Sequence, residues 1–175
     1  MSLDEVIFVE ENGVGIITLN RPERLNAITH PMVKKINHHL NVWEKNDGIK
    51  CIIIEGAGDR SFCAGGDVVK LRKEVLEAGG PPTDLSRSFF YDEYTLNYKI
   101  SNYSKPFIAL INGFTMGGGV GISMHGSHVV ASEKTMFAMP ETAIGLFPDV
   151  GGGWLLGQLD QGIGAWLGLV GARLK

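Results

Sequence analysis

The sequence predicts an α/β fold in which strands alternate with helices through crossover connections. Three observations lead there. Short apolar, β-branched runs recur along the chain, separated by segments whose apolar residues have helical spacing. A hairpin signal, Glu11-Asn12-Gly13, joins the first two runs, whereas the later runs are separated by helix-length segments. Glycine supplies 24 residues, and 15 of them fall between Gly113 and Gly171, interleaved with Phe107-Ile108-Ala109-Leu110-Ile111, Phe137, Phe147 and Trp154. Glycines set among core-forming residues mean tight turns and close backbone approach rather than low-complexity chain.

The elements follow in order. Val6–Glu10 and Gly13–Leu19 read as strands, the second stopped by Arg21-Pro22. Met32, Val33, Ile36, Leu40 and Trp43 recur at helical spacing and predict a helix from Pro31 to Asn46, ended by Asn46-Asp47-Gly48. Ile49–Glu55 reads as a buried strand and Gly56–Gly66 as a loop. Asp67 is placed to cap a helix reaching about Ala78. Gly79-Gly80-Pro81-Pro82 reads as a connecting loop rather than a domain boundary. A helix from Ser86 to Tyr103 and a strand at Phe107–Ile111 come next. His128–Ala131 and Met136–Ala138 read as short strands, and Gly151–Leu159 and Gly164–Leu169 as short helices.

Composition narrows the function classes. Of the 175 residues 44% are hydrophobic and 20% charged, which describes a folded chain. With 16 Lys+Arg against 19 Asp+Glu the net charge is −3, and no basic block is available to neutralise phosphates, so nucleic acid is not the expected partner. The Lys34-Lys35 pair and the Lys70…Arg72-Lys73 group read as the wet faces of helices. Gly162 to Ala172 is too short and glycine-rich to cross about 30 Å of hydrocarbon, so no membrane role is expected. Cys51 and Cys63 form neither a disulfide framework nor a CxxC motif, and a reducing compartment is the simplest reading. Met1-Ser2-Leu3-Asp4-Glu5 carries no secretory or transit signal. The five histidines contain no HExxH, so no metal site is expected.

Two stretches carry candidate chemistry. Ser61-Phe62-Cys63-Ala64-Gly65-Gly66-Asp67 and Asn112-Gly113-Phe114-Thr115-Met116-Gly117-Gly118-Gly119 each follow a strand and lead into a helix. Glycines there leave unpaired N–H groups at a helix start, suited to phosphate or to a developing oxyanion. No Gly-Lys-Ser/Thr follows and no GxGxxG is present. Two separate loops, each giving one N–H to a single oxygen, suit an oxyanion better than a phosphate. Alternatively, these glycines serve only helix-on-sheet packing, and spacing does not separate the two readings.

The second stretch, Pro140-Glu141-Thr142-Ala143-Ile144-Gly145-Leu146-Phe147-Pro148-Asp149, sets two Pro-acid pairs eight residues apart in apolar surroundings. The prolines and Gly145 favour a constrained loop or a single helical turn. Carboxylates desolvated in such a setting gain basicity and become usable as bases or nucleophiles. For Asp149, capping the helix that follows is the structural alternative. By composition alone, Asp92-Glu93 reads as solvent-facing on its helix.

These residues are recognisable together. Ser61–Asp67, Asn112-Gly113 with Gly117-Gly118-Gly119, and Met139-Pro140-Glu141 resemble the crotonase (enoyl-CoA hydratase/isomerase) superfamily. The run from Phe137 to Gly153, FAMPETAIGLFPDVGGG, and Asp92-Glu93-Tyr94-Thr95-Leu96-Asn97 look like its 3-hydroxyisobutyryl-CoA hydrolase branch. The resemblance implies stacked ββα units with helices around the sheets. It implies a short-chain acyl-CoA bound with its thioester oxygen on the amides of Gly66 and Gly118, and Glu93, Glu141 and Asp149 around the acyl group. No cofactor is implied, since CoA is part of the substrate.

Two departures from the family pattern matter. Similar hydratases carry a glutamate shortly after the triple glycine, and that position reads Gly121 here. The resemblance therefore favours thioester hydrolysis by Glu141, as nucleophile or base, with Asp149. The alternatives are a hydratase or isomerase using Glu141 alone, and a catalytically silent acyl-CoA-binding fragment. The family also continues with further helices beyond the position of Lys175. Residues 1–175 are thus expected to form one core domain without them, with apolar surface near Trp166–Val170 and either a homo-oligomer or a complementary C-terminal segment as partner. The branch implies valine degradation and a mitochondrial matrix location in a eukaryote, or the cytoplasm otherwise.

Overall fold

A computed structural model describes residues 4–175. Met1 to Leu3, on which part of the N-terminal reading rests, lie outside the described residues. The chain begins with the expected hairpin: β1 (Val6–Glu11) pairs antiparallel with β2 (Val14–Leu19), Glu11 opposite Val14. Asn12 and Gly13, at φ 50° and 81°, make the two-residue turn whose twist matches that of the strands. Helix α1 (His30–Glu44) is capped by the Thr29 side chain, which accepts from the Met32 amide, and it buries Met32, Val33, Ile36, Leu40 and Trp43. Each of these was predicted from spacing.

From there the chain repeats one motif. A strand in a large sheet is followed by a three-residue strand in a small sheet and then by helical structure. The first unit is β3 (Cys51–Gly56), β4 (Ser61–Cys63) and α2 (Val68–Glu77), extended by α3 (Asp84–Ser101). The second is β5 (Phe107–Ile111), β6 (Phe114–Met116) and α4 (Gly118–Gly121). The third is β7 (His128–Ala131), β8 (Met136–Ala138) and a single 3-10 turn, Glu141–Ile144. The large sheet has order β1-β2-β3-β5-β7, parallel after the first pair; the small one has order β4-β6-β8 and is parallel throughout. These are the stacked ββα units the resemblance implied. Two short helices, α5 (Gly152–Leu156) and α6 (Ile163–Val170), complete the chain.

Strands β4 and β6 correct the reading of Gly56–Gly66 as loop and of the Asn112–Gly119 stretch as a simple turn. Both strands are three residues long and lie between glycine turns, β4 between Gly56-Ala57-Gly58 and Gly65-Gly66 and β6 between Gly113 and Gly117-Gly118-Gly119, so the turn signal hides them and only pairing with a neighbour defines them. Helix α3 starts two residues earlier than expected because Thr83 and Ser86 form a reciprocal capping box.

The main core lies between the large sheet, α1 and α3, around Ile17, Ile52, Ile54, Trp43, Leu96 and Phe107. A smaller cluster of Val120, Met139, Val150, Leu156 and Leu167 ties α4 to the C-terminal helices. Apolar surface is exposed where it was expected: Trp166, Leu169 and Val170 remain half or more accessible. No helix among the described residues is long and apolar enough to cross a membrane.

Candidate functional site around the Gly66 and Gly118 amides

The small sheet brings the two glycine loops together. After β4, the Gly65 carbonyl accepts from Ile28 N–H and the Ile28 carbonyl accepts from Asp67 N–H. This bridge fixes the backbone around Gly66, and Asp67 then caps α2 by accepting from Lys70 N–H while pairing with Arg21 at 3.0 Å. After β6, the Gly117 N–H donates to the Ala138 carbonyl, and α4 begins at Gly118. A Cβ on Gly119 would overlap the Cys63 carbonyl, so only glycine lets α4 approach β4 this closely. A Cβ built on Gly118 would lie 3.2 Å from the Gly66 nitrogen. Among the described residues neither the Gly66 nor the Gly118 amide donates to any acceptor.

Three carboxyl groups surround these amides. Glu93 is 2% exposed on α3, and its Oε1 stands 2.5 Å from the position a Gly118 Cβ would take. The solvent-facing reading of Glu93 is thereby corrected: only Asp92 of that pair reaches the surface, where it meets His30 at 2.6 Å. The signal was present in the sequence, since Phe89, Glu93, Leu96, Asn97 and Ile100 form one buried helical stripe. Glu141 opens the 3-10 turn between Pro140 and Gly145; it too is buried, with Oε1 2.7 Å from the position of a Gly117 Cβ. Asp149 is half-buried. Its carboxylate accepts a 2.6 Å hydrogen bond from the Tyr94 hydroxyl, and its side chain does not cap α5.

Burial shifts all three acids upward, and neighbouring carboxylates add to the rise at Glu93 and Glu141. Desolvation, followed by the nearby charges of Asp149 and Glu141, pushes Glu93 up to about 8. Desolvation, with a further contribution from Asp149, raises Glu141 to about 7, its own backbone amide opposing the change. Asp149 is raised by burial and held back by the Tyr94 hydrogen bond. Cys63, wholly buried, is pushed up to about 12, which makes it a packing residue rather than a nucleophile. Among the described residues no group of three or more His, Cys, Asp or Glu is placed to hold a metal ion.

The structure thus gathers Gly66, Gly118, Glu93, Glu141 and Asp149 into one region. It adds two residues to which the sequence assigned no role, Tyr94 and Asn97. The Asn97 side chain is buried beside Gly121, and neither its oxygen nor its nitrogen has a partner. Together the region offers unpartnered donors for one developing negative oxygen and acids able to exchange protons near neutral pH.

Known proteins share this arrangement of sequence and fold. The sequence model of the enoyl-CoA hydratase/isomerase family matches residues 14–175. The mitochondrial 3-hydroxyisobutyryl-CoA hydrolase of Danio rerio is 53% identical over 98% of this chain, and that of Homo sapiens 49% identical over 98%. In both cases the match covers 44% of the relative, so the chain spans less than half the length of these curated proteins. Among solved structures, a carnitinyl-CoA dehydratase from Mycobacterium thermoresistibile superposes with TM-score 0.94 at 40% identity, covering 99% of this chain and 50% of that one. An enoyl-CoA hydratase from Rhodobacter sphaeroides gives TM-score 0.90 at 41% identity, covering 98% and 50%.

Proposed function

The chain belongs to the enoyl-CoA hydratase/isomerase (crotonase) family, and from that premise we propose that it hydrolyses the thioester of 3-hydroxyisobutyryl-CoA or a similar short 3-hydroxyacyl-CoA, releasing free CoA. The observation that carries this reading is the proximity of two amides that donate to no acceptor among the described residues, Gly66 and Gly118, to the buried acids Glu93 and Glu141, with half-buried Asp149 beside them. In this reading the amides hold the thioester oxygen as it becomes negative, a contribution of about 2.7–4 kcal/mol for each donor in comparable sites. Glu141 attacks the carbonyl carbon or takes the proton of attacking water, and a carboxyl near 7 is suited to that exchange at neutral pH. Asp149, held by Tyr94, orients the attacking group. Glu93 is protonated at neutral pH and contacts the acyl group as a hydrogen-bond donor. Water adds across the C–S bond; the acid leaves with the new oxygen, and CoA leaves as the thiol.

Gly121 supports hydrolysis over hydration, because it supplies no second acid and a side chain there would require Val150 to shift: a Cβ would lie 2.7 Å from that of Val150. The names of the relatives extend the proposal to valine degradation in the mitochondrial matrix. The deciding experiment follows thiol release from 3-hydroxyisobutyryl-CoA and loss of enoyl absorbance from a short enoyl-CoA in parallel. Thiol release without hydration supports the proposal; efficient hydration without thiol release makes the chain a hydratase. Tight acyl-CoA binding with neither reaction makes it a binding fragment.

A further inference from the structure

We propose that the side-chain amide of Asn97 recognises the hydroxyl group of the acyl chain and so sets the preference for hydroxylated over plain acyl thioesters. The inference rests on the reading of this region as an acyl-thioester site. Asn97 is 5% exposed, yet among the described residues both its Oδ1 and its Nδ2 lack a hydrogen-bond partner. Native interiors seldom leave a whole amide unpaired, and such a group points to a ligand or water that completes it. A Cβ built on Gly121 would stand 2.9 Å from both polar atoms of Asn97 and 2.7 Å from the Cβ of Val150, so the amide faces a glycine and an aliphatic side chain with which it makes no hydrogen bond. Asn97 also lines a cavity of about 310 Å³ between α3 and α5, together with Tyr94, His125, Val150 and Trp154. The cavity is large enough for a short branched acyl chain, and the wall atoms it presents are mainly carbon, including those of Val150 and Trp154.

The two helices set Asn97 one turn along from the pair formed by Glu93 and Gly118. Glu93 and Asn97 lie four residues apart on one face of α3, Glu93 beside Gly118 and Asn97 beside Gly121. Gly118 and Gly121 are three residues apart along α4, a rise of about 4.5 Å. An acyl thioester with its oxygen on the Gly118 amide and its chain running toward Gly121 brings a hydroxyl on the third carbon within reach of Asn97. A hydroxyl both donates and accepts, and the amide can answer with Oδ1 and Nδ2 together. The absence of a side chain at Gly121 keeps a Cβ from crowding both polar atoms of that amide.

The test compares 3-hydroxyisobutyryl-CoA with isobutyryl-CoA, which differ only in the hydroxyl, by calorimetric affinity and by thiol release, in wild type and Asn97→Leu. The wild type is expected to favour the hydroxylated ester by about tenfold or more, because a site built to pair a hydroxyl discriminates against its absence. In Asn97→Leu that ratio should collapse toward one. A structural amide would instead lower the melting temperature when replaced, whereas an amide unpartnered in the free protein should not. Equal affinity of wild type for the two esters overturns the inference, whatever the variant does. So does an unchanged ratio in Asn97→Leu. Failure of the hydrolase reading looks different: a preference for the hydroxylated ester in binding, without thiol release, supports the role of Asn97 and removes hydrolysis.

Discussion

The hydroxyl of Tyr94 donates a 2.6 Å hydrogen bond to Oδ2 of Asp149, joining α3 to the loop before α5 across 55 positions of sequence. Burial raises the Asp149 carboxyl, and this bond opposes the rise by favouring the ionised form. Tyr94→Phe removes only the donor. The acidic limb of the pH–rate profile for thiol release should then move to higher pH, and kcat should fall about tenfold, with KM changing less. An unchanged profile would mean that Asp149 needs no support from Tyr94.

Glu141→Gln preserves the size of the side chain in its constrained turn but removes its basic oxygen. Thiol release should drop by about two to four orders of magnitude while acyl-CoA affinity, measured by calorimetry, stays within a few-fold. Turnover equal to wild type would exclude Glu141 from the chemistry.

Replacement of Gly118 acts on two groups at once. In Gly118→Ala the new Cβ meets Glu93 Oε1 at 2.5 Å, so the carboxyl must swing away while the amide stays in place. Gly118→Pro also deletes the N–H, at a first helical position where proline is tolerated by the helix itself. Turnover should fall in both folded variants and more in the proline one, by roughly another hundredfold or more. Equal loss in the two variants would show that the Gly118 amide is not an oxyanion donor.

Gly121→Glu is expected to lose stability without gaining hydratase chemistry. A Cβ at this position lies 2.7 Å from that of Val150 and 2.9 Å from both polar atoms of Asn97. The amide can rotate, but Val150 is β-branched and held at φ 45°. Gly121→Ala alone should cost about 1–3 kcal/mol, as overpacking does, and the glutamate more. Chemical unfolding measures the cost, and enoyl absorbance checks the chemistry; a stable Gly121→Glu that hydrates an enoyl-CoA would contradict this packing argument.

Glu93 should make the protein less stable as pH rises. Its carboxyl titrates near 8 when folded, against about 4.5 for an ordinary glutamate, so between those values the folded state holds a proton that the unfolded state has lost. Its contribution is fully favourable below about pH 4.5 and is lost as pH climbs through about 8. Glu93→Gln removes the penalty, so its stability relative to wild type should improve from pH 5 to pH 8 by about 1–3 kcal/mol. Urea unfolding at the two pH values checks this, and a pH-independent difference would show that Glu93 ionises freely in the folded state.

Much of this arrangement can be read along the chain. The Asn12-Gly13 hairpin, the Thr29-capped helix α1, the Asp67 cap and strands β5, β7 and β8 are local or periodic, and each appears where the pattern put it. Strands β4 and β6 escape such reading because each is a three-residue piece between glycine turns, whose signal dominates the local pattern. Glu93 was misread from its neighbours: an acid beside Asp92 suggests solvent, although it occupies the buried stripe of α3 with Phe89 and Ile100.

The sequence by itself determined the longer strands and helices, where glycine would free an amide, and which family's pattern the run Phe137–Gly153 resembles. All of these depend on residues a few positions apart. Only the tertiary structure decided that the Gly118 amide meets Glu93, that Asp149 pairs with Tyr94 instead of capping α5, and that Asn97 fills the space beside Gly121. Those meetings depend on the crossovers between the two sheets, which bring distant segments into one largely desolvated region. The acidities of the carboxyl groups follow from that region, because desolvation and charge repulsion are properties of the assembled surroundings and not of the residue.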